Sequence, residues 1–249
     1  MTVGIQTVSV SAAKRNKLNT RRGGVKQDWP YRLGDMIRFH EQRAKPHGAE
    51  YHIKKFPDSI ASKYLQSLSD DCSKSMHELN LEALVGIINK FPKNIEPNDN
   101  ELVVHLRIGD IFRFSNLSID EILDAPSPIP ENWDPTARSQ LNKTLPLSFY
   151  QKLSLSSRQA EVTLLIGSLD HNPKPKLEND PRNDKSRGYV YAIKDFFEES
   201  GYKVNFRHGF SPDEDFVFAC RAKMFIPSNS GFAIVAEEVR KYLGYESYS

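Results

Sequence analysis

Cysteine is nearly missing from this chain: among 249 residues only Cys72 and Cys220 carry a thiol, too far apart in sequence for a disulfide framework or a zinc pattern. Both are expected to be free. An excess of one charge is lacking too, because 34 Lys and Arg face 32 Asp and Glu and leave a net +2. That balance excludes the broad basic face of sequence-independent nucleic-acid binders, so no nucleic-acid partner is expected and any anion site must be local. No run approaches the ~18 apolar residues of a membrane span, and the opening MTVGIQTVSV lacks the basic-then-apolar order of a secretory signal. A cytoplasmic chain without a membrane partner is the expectation. What is present, 39% apolar and 27% charged residues, suits one large α/β domain or two small ones sharing a cleft.

In the first half, Val3 to Val10 reads as a strand and the basic stretch from Lys14 to Lys26 as a loop. A glycine turn at Gly34-Asp35 precedes Met36, Ile37 and Phe39, the start of a helix. An apolar stripe from Met76 to Phe91 predicts a further helix, stopped by Pro92. The polar connector that follows places a boundary near residue 100, dividing the chain into 1–100 and 101–249.

The second half begins with Glu101-Leu-Val-Val-His-Leu-Arg-Ile108, a buried strand delivering Gly109-Asp110 into a loop. Residues 115–146, holding Pro126, Pro128, Pro130, Pro135 and Pro146, read as a long irregular insertion. Then come a strand at Glu161 to Gly167, a helix from Tyr189 to Ser200 and a strand from Tyr202 to Phe206. Ser211-Pro212-Asp213-Glu214 combines an N-cap, a first-turn proline and a capping-box glutamate, and starts a helix running to Lys223. A strand at Met224 to Pro227, a turn at Ser228 to Gly231 and a helix from Phe232 to Leu243 complete the pattern. The alternation predicts a parallel sheet, and such sheets bind ligands beyond the carboxyl ends of their strands.

Three groups of residues could carry chemistry. Strand alternation sets His105 and Arg107 on one face, apart from Val104, Leu106 and Ile108. The planar fork of Arg107 suits phosphate oxygens, although an ion pair with Asp110 beside a core histidine fits the same pattern. Ser228-Asn229-Ser230-Gly231-Phe232 leads from a strand into a helix, whose N-terminus offers free N–H groups to an anion, or is simply capped by its own serines. Asp213-Glu-Asp215 has the spacing of a divalent-cation site against a diphosphate, or is a helix first turn favoured by the dipole.

Together these point to a diphosphate-bearing ligand, and here a resemblance emerges. Leu102-Val-Val-His-Leu-Arg-Ile-Gly-Asp110 resembles the H-x-R-x-G or H-x-R-R-x-D motif of GDP-fucose-dependent fucosyltransferases, the protein O-fucosyltransferases and the α1,2 and α1,6 enzymes among them. Ser228-Asn-Ser-Gly-Phe232 is similar to the downstream S-N-S-x-F motif of the α1,2 group, and Arg32-Leu-Gly-Asp35 to an R-L-G-N-Q turn near the start of these enzymes. Ile108 stands where one version has a second arginine, and Ala233-Ile-Val replaces a small residue and tryptophan.

The resemblance implies a GT-B fold of two Rossmann-like domains, the N-terminal one reduced and acceptor-side. It implies an inverting transfer of a sugar, fucose from GDP-fucose first, to a glycan or protein acceptor, with no metal and no cofactor. Carried onto this sequence, Arg107 and Asp110 are the catalytic candidates. His105, Arg107, Gly109, Asp215, Ser228, Asn229, Ser230, Gly231 and Phe232 would bind the donor, and Gly34 and Asp35 are further contacts. Two alternatives stay open: a metal-dependent transferase using Asp213 and Asp215, and a non-catalytic binder of sugar nucleotide or glycan.

Overall fold

The computed structural model describes residues 76–113, 115–153, 161–166 and 184–245. The strand at 3–10, the basic loop, Cys72 and the turn holding Gly34 and Asp35 lie outside them. The described chain is an α/β unit built on four parallel strands: β1 Glu101–Leu106, β2 Glu161–Ile166, β3 Lys203–Arg207 and β4 Met224–Ile226, in the order β3-β2-β1-β4. β1 is buried along its whole length, as a central parallel strand with helices on both faces must be.

Alternation along the strands divides the apolar side chains between two cores. Val103, Leu165 and Phe225 face α1 (Met76–Ile88), α7 (Pro212–Arg221) and α8 (Gly231–Tyr242). Leu102, Val104, Leu106, Val162, Leu164 and Ile226 face the other layer. That layer holds α2 (Asp110–Arg113), α3 (Ile119–Leu123), α4 (Pro135–Thr144), α5 (Leu147–Gln151) and α6 (Asp184–Glu199). Leu84 and Ile87 of α1 are fully buried against α7 and α8, so residues on the N-terminal side of position 100 share this core. Each aliphatic side chain withdrawn from water this way contributes about 1.5–3 kcal/mol. Among the described residues no helix is long and apolar enough to cross a membrane.

Arg221, at the end of α7, ties α1 in place. Its Nη1 donates to the carbonyls of Pro92 (2.7 Å) and Ile95 (3.2 Å), and its Nη2 to those of Ile88 (2.7 Å) and Phe91 (3.0 Å). One is the last carbonyl of α1 and the other three belong to the turn that follows it.

The segment 115–146 departs from the expected irregular insertion, since it contains α3 and α4. Ser118 and Glu121 form a complete capping box, and Asp134 accepts from the Ala137 N–H at 2.8 Å with Pro135 in the first turn. A proline there starts a helix, because that position has no N–H bond to lose. Helix α6 also begins earlier than expected, at Asp184, and carries Gly188 inside it. A Cβ at Gly188 would lie 3.3 Å from Ile119 Cγ1, so the glycine permits close approach of α3 and does not break the helix.

Candidate functional site

The crossovers from β1 to β2 and from β2 to β3 run through one layer, while the β3 to β4 crossover uses α7 in the other. The loops after β1 and β4 therefore leave toward opposite layers, which makes this the switch point of the sheet, the place where such sheets bind ligands. His105 and the turn after β4 meet there. His105 Nδ1 and Ser228 Oγ are 2.7 Å apart and both groups are buried. Ser228 gives its proton to Ser230 Oγ at 3.1 Å, and Ser230, the N-cap of α8, accepts from the Ala233 N–H at 3.3 Å. With its single proton spent, Ser228 can only accept from the histidine. Nδ1 therefore carries the hydrogen, and Nε2 keeps a lone pair.

Burial, and then the positive charge of Arg107, push the His105 pKa down to about 3. The ring is neutral at physiological pH. Phe232 stacks on it with centroids 4.9 Å apart and planes 20° apart, and Phe216 meets Phe232 edge-on at 5.4 Å. The two sequence motifs and α7 thus form one aromatic-backed cluster. Arg107, the residue after β1, is partly exposed, and its charge is felt at His105. Gly109 follows at φ 82°, a conformation that favours glycine, and its N–H donates to Ser186 Oγ at 3.2 Å. Asp110 opens α2.

Asn229 is committed elsewhere: its side-chain amide donates to the Asn142 carbonyl at 2.7 Å, pinning the turn to α4. Gly231 and Phe232 supply the first N–H groups of α8, the end that intrahelical bonds leave open. Asp213 and Asp215 are both buried in the first turn of α7. Asp215 Oδ1 accepts from Arg207 Nε at 2.9 Å, so that carboxylate already holds a cation. Burial pushes the Asp215 carboxyl up to about 7, against the opposing pull of Arg207. Among the described residues no three His, Cys, Asp or Glu side chains are grouped to hold a metal ion.

Arg207, Ser186 and Asn142 are absent from the sequence reading. Arg207 had a usable signal, an arginine at the carboxyl end of a strand, but the expected strand stopped at Phe206. Ser186 accepts from one distant backbone N–H, and Asn142 offers only its backbone carbonyl to the Asn229 side chain, so neither leaves a pattern. A hollow lined by Ile111, Phe112, Leu117, Ile122 and Leu141 lies in the opposite layer and presents no cation to an anion. No family model matches the chain, and no curated protein or solved structure matches it.

Proposed function

We propose that the chain is an inverting, metal-independent glycosyltransferase of GT-B type. It passes a sugar, fucose from GDP-fucose in the first instance, to a glycan or protein acceptor. The observation that carries this reading is the His105–Ser228 hydrogen bond, which joins the H-x-R loop to the S-N-S-G-F turn at the switch point of a parallel sheet. A sugar nucleotide needs two things there: a cation for its diphosphate and a surface for its base.

Arg107 is the cation. As the glycosidic C–O bond breaks, negative charge collects on the β-phosphate, and a fixed guanidinium beside it lowers the barrier by several kcal/mol. The opened N-terminus of α8, at Gly231 and Phe232, adds backbone N–H donors to the same diphosphate. His105 offers Nε2 as an acceptor, suited to a hydroxyl or ring N–H of the nucleoside and unsuited to a phosphate oxygen. Asp215 accepts from the base. Asp110, at the start of α2, is the acid nearest in sequence to Arg107 and the candidate for deprotonating the acceptor hydroxyl.

Calorimetry with GDP-fucose, GDP-mannose, GDP and UDP tests the donor class, alongside a hydrolysis assay with and without EDTA. Binding of the GDP compounds in preference to UDP, with turnover unaffected by chelation, is expected. Tighter binding of UDP sinks the fucosyl assignment.

A further inference from the structure

The pair formed by Arg207 and Asp215 has a geometry that stability does not explain. Arg207 is the last residue of β3, in register with Leu165 and through it with His105, so all three side chains share a face near the carboxyl end of the sheet. Its guanidinium lies between the rings of Phe210 at 3.9 Å and Phe218 at 4.2 Å. Nε donates to Asp215 Oδ1, yet Nη2 is buried with no hydrogen-bond partner among the described residues. Burying a guanidinium for so few hydrogen bonds is costly, and a buried ion pair is seldom more stable than the apolar residues that could replace it. On the carboxylate side only Oδ1 is engaged; no hydrogen bond among the described residues reaches Oδ2.

We propose that Arg207 is a positioning residue for ligand recognition: it holds the Asp215 carboxylate charged and aligned through one oxygen, leaving the other to accept the N–H donors of a purine base. The ring clamp fixes the guanidinium in place, and the guanidinium fixes the carboxylate. The inference rests on the nucleotide-sugar reading above. A guanine edge, with two adjacent N–H donors, suits such an acceptor better than an adenine edge with one. Arg207 from β3 and Glu214 from the same helix are the charges that act on Asp215.

The test is the affinity of the full chain for GDP and for ADP, measured by calorimetry across neutral pH, since their ratio cancels the titration of the phosphates. In the wild type the ratio should rise with pH through about 7 as Asp215 ionises. Arg207→Gln should move that rise upward and weaken GDP at neutral pH by about five- to tenfold. Arg207→Lys, which keeps the charge, should leave the midpoint close to its wild-type position. Should Arg207→Gln lose its cooperative melt, Arg207→Met, which keeps the stem between the two rings, carries the same test. A variant that keeps both the wild-type midpoint and the wild-type ratio overturns the role of Arg207 and leaves the nucleotide reading standing. A wild type that binds neither nucleotide overturns that reading itself, and this proposal with it.

Discussion

Ser228→Ala is the sharpest perturbation of the site, because it deletes one oxygen and adds almost no strain. Ser228 is 1% exposed and His105 is 7% exposed, so water cannot replace the lost acceptor without a rearrangement. An unsatisfied buried donor costs about 1–3 kcal/mol, and here the stranded donor is the Nδ1–H of a neutral imidazole. For a chain of this size each kcal/mol lowers Tm by roughly 2–4 °C, so a fall of several degrees is expected. His105→Phe should relieve it: the ring stays stacked on Phe232 and the donor disappears. In urea melts of the four proteins of the cycle, the double variant should be more stable than the summed single effects by about 1–2 kcal/mol. Additivity to within about 0.5 kcal/mol would mean that the two side chains do not share a hydrogen bond, and the tautomer assignment would fall with it.

Three further outcomes follow from the same geometry. Arg107→Ala should lower turnover by orders of magnitude while the melt stays close to wild type, and near-normal turnover would remove Arg107 from the mechanism. Below about pH 6.5 the unfolded chain protonates a histidine that the native site keeps neutral down to about 3, so His105 makes stability fall as pH drops through that window. Asp215, raised from 3.8 to about 7, acts in the opposite sense over part of the range. The difference between wild type and His105→Phe isolates the histidine: the variant should lose less stability in acid, and parallel curves would refute the burial argument. Finally, Arg207→Met combined with Asp215→Leu should be neutral or stabilising, whereas Asp215→Leu alone should cost about 3–5 kcal/mol by stranding the buried guanidinium; a strongly destabilised double variant would make the pair structural.

Much of the sheet was legible because buried parallel strands are short apolar runs that need no partner to be recognised. Glu101 to Leu106 and Met224 to Ile226 announce themselves this way, and alternation already separated His105 from Val104 and Leu106. Capping chemistry was equally readable at Ser211, where Pro212 and Glu214 stand at fixed offsets. The same chemistry at Ser118 and Asp134 was hidden by nearby prolines, which act as breakers or starters according to a position that composition does not record. The site was legible as two motifs and illegible as one place. Periodicity says which face a side chain occupies, but not what lies opposite, and His105 and Ser228 are 123 residues apart. Arg207 was missed for a smaller reason: strand ends blur by a residue, and the arginine occupied that residue.

The guanidinium of Arg221 imposes an order on the birth of the molecule. The carbonyls it gathers at the end of α1 lie up to 133 residues earlier in the chain. A ribosome adding ~5–20 residues per second needs on the order of ten seconds to make that stretch. Through that interval the turn after α1 lacks its arginine clasp, and the apolar stripe of α1 has neither α7 nor α8 to cover it. The first of the described helices is therefore among the last to be secured, and the unit closes late, when one side chain arrives to grip a segment made long before.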